Sequence, residues 1–345
     1  MKVALVYAEY ENMTEEIRQV NPNADRIMKN MLSSIKEALE FNNHEVFEVP
    51  ANIDMMRNIM EIDGLDVIFI HYNPLENLKL QGNVFAALEL LGIPIVGSGM
   101  LAQATALSKE TANLILASHG LPIVKSQIIF SKDDELKEEL KESFPLFVKP
   151  ESEAVSVGIR NDSLVENEEQ LEKTLERIFS EVNPPIIIEE FLPGREFTVG
   201  VLEDMGEIKA LEVTEITFDK ESGVNFRTKD VVKNKWTIKI TPAEIDEELE
   251  LEMKYLAIKS FKSLNCNTYA RIDIRLNADG EPYIMEINTM PGLSKTSSPY
   301  VLEANASGIS YEELIDILVK SAYHKGADKK MLGIGKFWWI KAGFY

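Results

Sequence analysis

The sequence predicts an α/β beginning on a small parallel sheet and an α+β continuation, and three observations carry that prediction. The first hundred residues alternate apolar strand-like runs with amphipathic helical stretches. Further on, alternating runs meet at short turns, the signature of hairpins. The chain has 345 residues, 45% of them apolar and 27% charged, which suffices for several cores and excludes a disordered polymer.

Val3-Ala4-Leu5-Val6-Tyr7 reads as a buried strand. Between Ala24 and Phe41, Ile27, Met31, Ile35 and Leu39 recur every four residues beside Met28 and Leu32, predicting a helix with one wet face. His44 to Val49 predicts a strand, Asp54 to Ile62 a helix, and Val67 to Ile70 a second buried strand. A helix from Gly82 to Leu91, closed by Gly92, leads to strand Pro94-Ile95-Val96. This rhythm is Rossmann-like, but no G-x-G-x-x-G follows the first strand, so no dinucleotide site is assigned.

Two helices follow, Leu101 to Ala106 and Lys109 to His119, the second ended by Gly120. Strands are expected around Ile128 and at Leu146 to Lys149, separated by a charged helix from Lys132 to Glu142. Ile186 to Ile188 and Phe197 to Val201 flank a Pro193-Gly194 turn. Gly206 to Trp236 is polar and reads partly as a long loop, a class that commonly supplies lids. A helix from Asp246 to Leu264 precedes a strand, a tight turn and another strand, and a helix from Ser310 to Lys325 closes the pattern.

The formal charge is −21, from 36 Lys and Arg against 57 Asp and Glu. Such a field repels nucleic-acid backbones and anionic lipid, so a polyphosphate ligand must be held by a few local cations. One cysteine, Cys266, excludes an internal disulfide and a cysteine-only metal cluster. No signal peptide and no apolar run near twenty residues is read, so a cytoplasmic location is expected.

The densest chemistry lies in Tyr269 to Leu276, Asn277 to Glu281 and Pro282 to Asn288. A two-residue loop at Asp279-Gly280 would set Asp273 opposite Glu286 and Arg271 opposite Asn288. Arg271, Asp273 and Arg275 would then share one face, with Ile284, Glu286 and Asn288 on the facing strand. Opposed carboxylates need a cation between them, and two carboxylates with an amide oxygen suit Mg²⁺ carrying phosphates. A solvated hairpin neutralised by Arg271 and Arg275 is the competing interpretation.

Ala270-Arg271-Ile272-Asp273 with Met285 to Gly292 resembles the C-terminal signature of the D-alanine–D-alanine ligase family of the ATP-grasp superfamily. Glu189-Glu190-Phe191-Leu192-Pro193-Gly194-Arg195-Glu196-Phe197-Thr198-Val199-Gly200, Phe147-Val148-Lys149-Pro150, Gly97-Ser98-Gly99, Gly120-Leu121-Pro122 and Gly308 to Ile315 extend the likeness from about His71 to His324. The resemblance implies a Rossmann-like domain at 1–98, then a two-part ATP-grasp fold, with a central subdomain at 99–188 and a catalytic one at 189–328. An aromatic tail occupies 329–345.

It further implies phosphate contacts from Lys109 and Lys149, adenine and ribose contacts from Glu189 and Glu196, and adenine-edge recognition by the backbone of Glu190 and Leu192. Met285 would pack under the ring or serve only as core. Asp273, Glu286 and Asn288 would bind Mg²⁺ or Mn²⁺, and Arg271 with the Gly292 amide would stabilise an oxyanion. Lys229 resembles a lid lysine closing on the γ-phosphate, Ser156 lies in the phosphate loop, and His71, Glu76, Ser297 and Ser298 fall at the substrate positions. ATP would activate a carboxylate as an acyl-phosphate, which an amine then attacks to give an amide, ADP and phosphate.

Departures cluster on the amino-acid subsites. Tyr7 to Met13 replaces a Gly-Gly-x-Ser-x-Glu segment, so the acid that would hold the first substrate's ammonium has no matched counterpart, although Glu11, Glu15 and Glu16 lie near. His71 to Leu78 keeps the histidine and Glu76 without glycine, Ala154-Val155-Ser156-Val157-Gly158 loses glycine in the phosphate loop, and Asp230 stands where tyrosine is expected. The expectation is therefore an ATP-dependent carboxylate–amine ligase, with two D-alanines as the leading single assignment and a different pair of small amino-acid or carboxylate–amine substrates as the alternative. A nucleotide-binding protein without turnover, or a phosphotransferase stopping at the acyl-phosphate, stays open. So does a homodimer. The tail, with Trp338, Trp339 and several lysines, is read as packing across a groove or lying on a membrane surface.

Overall fold

The computed structural model describes residues 1–8, 24–71, 79–151, 159–182 and 185–331. Expectations resting on Glu11, Glu15, Glu16, Glu76, Ser156, the Lys229 side chain and the tail from residue 332 lie outside the described residues.

The first sheet is parallel, with β1 (Lys2–Tyr7), β2 (Glu45–Pro50), β3 (Val67–His71) and β4 (Ile95–Val96) in the order β2-β1-β3-β4. Its strands are apolar on both faces because both are covered. Val3, Leu5, Val67 and Phe69 point into one core, while Ala4, Val6, Ile68 and Ile70 point into the other. Helix α1 (Ala24–Phe41) lays Met31, Ile35 and Leu39 on the first face. On the second, α2 (Met55–Met60) contributes Met55 and Ile59, and α3 (Lys79–Glu89) contributes Phe85 and Leu88.

After α4 (Met100–Leu107) and α5 (Lys109–Ser118) the chain builds a second, antiparallel sheet. The Ser108 hydroxyl caps α5 by accepting from the Thr111 amide. Along the chain come β5 (Ser126–Ile129), α6 (Glu138–Lys141), β6 (Leu146–Pro150), β7 (Leu164–Val165), α7 (Glu168–Glu181) and β8 (Ile186–Glu190). Leu171, Leu175 and Ile178 of α7 bury Val148, Ile186 and Ile188. The expected helix from Lys132 to Glu142 shrinks to the single turn of α6. The Asp134 carboxylate accepts from the amides of Phe130 (2.7 Å) and Ser131 (3.0 Å), so side-chain bonding bends the backbone where a helix would start. Neither α7 nor β7 was foreseen.

A third sheet holds β9 (Glu196–Asp204), β10 (Glu207–Phe218), β11 (Thr237–Ile240), β12 (Tyr269–Leu276) and β13 (Pro282–Asn288), ordered β11-β10-β9-β12-β13. Helix α8 (Lys229–Asn234) precedes β11, and α9 (Glu247–Ser263), capped by Asp246, covers the face of Phe197, Val199, Ile272 and Ile274. The long loop expected from Gly206 is largely sheet. β10 pairs on both edges, and its acids are matched, Glu215 to Arg195 (2.7 Å) and Glu212 to Lys254 (3.0 Å), so polarity there is compatible with a strand.

The hairpin of β12 and β13 corrects the expected loop while preserving the pairing at its far end. Leu276 faces Pro282 across a loop of 277–281, not the two residues Asp279-Gly280. A bulge at Met285 then inserts one residue, which restores Asp273 opposite Glu286 and Arg271 opposite Asn288. Ile284 is thereby turned away from the polar face expected for it and is 1% exposed in the core against α9.

Helices α10 (Pro299–Ala306, not foreseen) and α11 (Tyr311–Met331) return to the first sheet. Tyr300, Val301, Leu314, Ile315 and Leu318 share one core with Val3, Leu5 and Phe69. The segment after β13 is pinned there too, through Met290 and a Leu293 amide donating to Met31 Sδ (3.3 Å). No helix among the described residues is long and apolar enough to cross a membrane.

Candidate active site

Between the second and third sheets lies a cavity of 260 Å³. It gathers Lys109, Lys149, Glu189, Glu190, Leu192, Glu196, Arg271, Asp273, Met285, Glu286 and Asn288 from positions up to 179 residues apart in sequence. The bulge explains part of this convergence, since it sets both Met285 and Glu286 on the cavity wall opposite Asp273.

One wall is cationic and buried. Lys149 Nζ lies 2.6 Å from Glu189 Oε2, the two side chains being 10% and 2% exposed. Lys109, at the start of α5, donates to the Glu151 carbonyl at 2.9 Å. At Glu190 the amide donates to the Lys125 carbonyl (3.0 Å), which consumes that donor and leaves edge recognition by this residue to its carbonyl. Phe147, Phe191 and Phe226 cluster with centroids 5.1–6.1 Å apart, and the Arg275 guanidinium stacks 4.9 Å above Phe191. Arg275 also donates to Glu196 Oε2 at 3.1 Å. Burial pushes the Glu196 carboxyl upward, with Arg275 pulling against it.

At the other end, Arg271 forks onto Asp273, Nε to Oδ1 at 2.7 Å and Nη2 to Oδ2 at 2.8 Å. Burial alone would lower the Arg271 pKa. Asp273, with Glu303 and Glu286 beyond it, reverses that and keeps the guanidinium charged. Asn288 Nδ2 donates to Asp273 Oδ2 at 3.0 Å. That bond turns the amide nitrogen toward Asp273, and the Asn288 oxygen and the Glu286 carboxylate have no hydrogen bond or ion pair among the described residues. Two carboxylates and an amide oxygen in one wall, one acid unpaired, form a hard donor set that fits Mg²⁺. Among the described residues no cluster of three His, Cys, Asp or Glu competes with it.

Two cations were missed in the sequence. Arg227 lines the cavity, and Lys239 of β11 donates to the Ser297 carbonyl at 2.8 Å. Burial and the charges of Arg227 and Arg271 lower the Lys239 pKa, and burial with Arg271 lowers that of Arg227, so like charges crowd here. Their spacing in sequence carries no signal, because they meet only when β11 pairs with β10.

Four predicted residues stand outside the cavity lining. His71 ends β3, buried and with Nδ1 unpartnered among the described residues, and burial holds its pKa down at about 4. Ser298 donates to the Gly292 carbonyl, and the Ser294 and Ser297 hydroxyls bond each other at 2.7 Å. This knot folds the segment after β13 back on itself.

The family model described as D-ala D-ala ligase C-terminus matches residues 115–320, more than half of the chain. This chain belongs to the D-alanine–D-alanine ligase family. A D-alanine–D-alanine ligase of Halalkalibacterium halodurans is 32% identical over 327 residues, covering 94% of this chain and all of the relative. One from Rhodococcus erythropolis is 36% identical over 257 residues, 71% of this chain and 67% of that one. Among solved structures, the D-alanine–D-alanine ligase of Bacillus anthracis complexed with ATP superposes with a TM-score of 0.74 at 23% identity, covering 95% of this chain and 99% of that chain. The VanG D-Ala:D-Ser ligase of Enterococcus faecalis gives 0.72 at 23%, covering 93% and 99%. As a member of the D-alanine–D-alanine ligase family with the ATP-grasp fold, this chain is an ATP-dependent ligase.

Proposed function

We propose that the cavity joins a carboxylate to an amine through an acyl-phosphate made from ATP. The observation that carries the assignment is the meeting of Lys109 and Lys149 with Asp273, Glu286 and Asn288 in one cavity of an otherwise strongly acidic protein. Asp273, Glu286 and Asn288 are the residues that would hold Mg²⁺, which when bound neutralises phosphate charge.

The other roles belong to the chain itself. Phe147, Phe191 and Phe226 supply an apolar wall for the base, and Glu196 an acceptor for ribose hydroxyls. Lys109 and Lys149 contact the phosphates, and Lys229 takes the role the family resemblance gives a lid lysine toward the γ-phosphate. A substrate carboxylate attacks the γ-phosphorus in line and ADP leaves; the amine of a second substrate then attacks the acyl carbon and phosphate departs. Arg271 and the Gly292 amide stabilise the oxyanion between those events, which fixed donors in a dry site do well. For Ser297, Ser298, His71 and Glu76 the substrate roles rest on the family resemblance alone.

The substrates are small amino acids, and the altered segments around Tyr7 to Met13 and His71 to Leu78 support a pair other than two D-alanines. The VanG D-Ala:D-Ser ligase of Enterococcus faecalis, which shares this fold, is one precedent for such variation. ADP release is measured with ATP, Mg²⁺ and a panel of amino-acid pairs that includes D-alanine alone. ADP release with at least one pair, abolished in Asp273→Asn, is expected. Bound ATP with no ADP release from any pair refutes ligation and leaves a binding protein; hydroxamate trapped by hydroxylamine without amide leaves a phosphotransferase.

A further inference from the structure

We infer that Glu303 is a positioning residue for Arg271, the anion that takes over its guanidinium when a cation engages Asp273. The inference deepens the ligase assignment and rests on it.

In the ladder of β9 and β12, Thr198 lies opposite Asp273 and Gly200 opposite Arg271, so these four residues share one face. Glu303 reaches that face from α10. A Cβ built on Gly200 would stand 2.7 Å from Glu303 Oε2, which locates the carboxyl over the Gly200 Cα, beside the residue that carries Arg271. Absence of a side chain at 200 is what makes room for it.

The carboxyl is 0% exposed, and its oxygens make no well-formed hydrogen bond among the described residues, the hydroxyls of Thr198 and Thr214 lying only near enough to pull its pKa down. Its flanking hydroxyls satisfy it only in part. Thr214 also bonds Thr241 at 2.6 Å, and Thr198 Oγ1 makes no other hydrogen bond among the described residues. Burial pushes the Glu303 pKa up to about 8, with Arg271 pulling it down and Asp273 pushing it up. Tyr300 on its own helix, and Tyr269 beyond that, are neutral neighbours whose ionisation burial also disfavours. A buried acid so weakly partnered is costly and calls for a reason to be kept.

Arg271 supplies one. Its Nε and Nη2 are committed to Asp273, while Nη1 has no hydrogen bond among the described residues. Asp273 carries two demands that compete, since lone pairs given to a cation are withdrawn from the fork. Once they are withdrawn, Arg271 must stay charged and aimed; on its face of the sheet Glu286 would share the cation and Glu196 is paired with Arg275 at 3.1 Å, which leaves Glu303 as the acid free to face it. A purely structural role would show strong hydrogen bonds to the fold; among the described residues this carboxyl has only the weak help of two flanking hydroxyls.

The test is calorimetric titration of ADP, with EDTA and with Mg²⁺, into the full chain and into Glu303→Gln and Glu303→Asp. The expected result is an ADP affinity without metal within about threefold in all three, and an enhancement by Mg²⁺ that drops about tenfold in Glu303→Gln. Glu303→Asp should recover part of that loss. Equal enhancement in Glu303→Gln and the parent overturns the proposal, as does a lowered thermal midpoint accompanied by weaker metal-free binding, which would assign Glu303 to the fold alone. If the parent binds no ADP even with Mg²⁺, the ligase assignment of the cavity falls and the proposal with it, an outcome distinct from binding with unchanged enhancement.

Discussion

Replacing Glu303 by glutamine should make the nucleotide-free protein more stable, and by an amount that grows with pH. The side chain keeps its shape but can no longer ionise. In the parent, the carboxyl titrates near 4.5 when unfolded and at about 8 when buried. Between those values the folded state holds a proton that the unfolded chain has released. Stability from this group is therefore complete below about pH 4.5 and drains away as pH rises through 8. Each pH unit inside the window costs about 1.4 kcal/mol, so moving from pH 6 to pH 8 removes about 2 kcal/mol that the variant does not lose. Urea unfolding of both proteins at pH 6, 7 and 8, without metal, reads the difference directly, and taking differences cancels every other titrating group. A gap that stays constant, or that narrows toward pH 8, would show that Glu303 is solvated or paired, and the burial argument would fail.

Three further outcomes follow from the same geometry. His71, held neutral with a pKa of about 4, loses stability for the fold as pH falls from 6.5 toward 4, at most about 3 kcal/mol; its ring resonances should show no protonation at pH 5, and His71→Gln should flatten the acid limb of the stability curve. Lys149→Met strands the buried Glu189 carboxylate and should cost about 3–5 kcal/mol, much of it restored in the double variant with Glu189→Gln, as denaturant midpoints will show; a single variant as stable as the parent would contradict the buried pair. Gly200→Ala forces a methyl to within 2.7–2.9 Å of Glu303, Leu211 and Tyr300 and should lower stability by about 1–3 kcal/mol, measurable as a drop in thermal midpoint.

Local periodicity made much of the architecture legible. The runs at Val3 to Val6 and Val67 to Ile70 are apolar without alternation because both faces of their sheet are covered, and that pattern needs no knowledge of what covers them. The opposition of Asp273 to Glu286 was also legible, although by a shorter loop than the real one, and the bulge at Met285 compensated for the difference. Failures fell where polar sequence is made regular by distant partners. β10 is a strand because β9 and β11 pair it and because Arg195 and Lys254 neutralise its acids.

What the sequence determined by itself is the set of elements whose signal lies within a few residues: apolar period, caps, turns, and the family motifs on β8, β12 and β13. Only the tertiary structure decided that Arg227 reaches the cavity, that Lys239 meets Ser297, and that Glu303 ends buried beside the strand carrying Arg271. Burial and electrostatic neighbourhood depend on which surfaces pack together. For Glu303 the neighbour at position 200 lies about a hundred residues away along the chain, and nothing in either local stretch encodes that they touch.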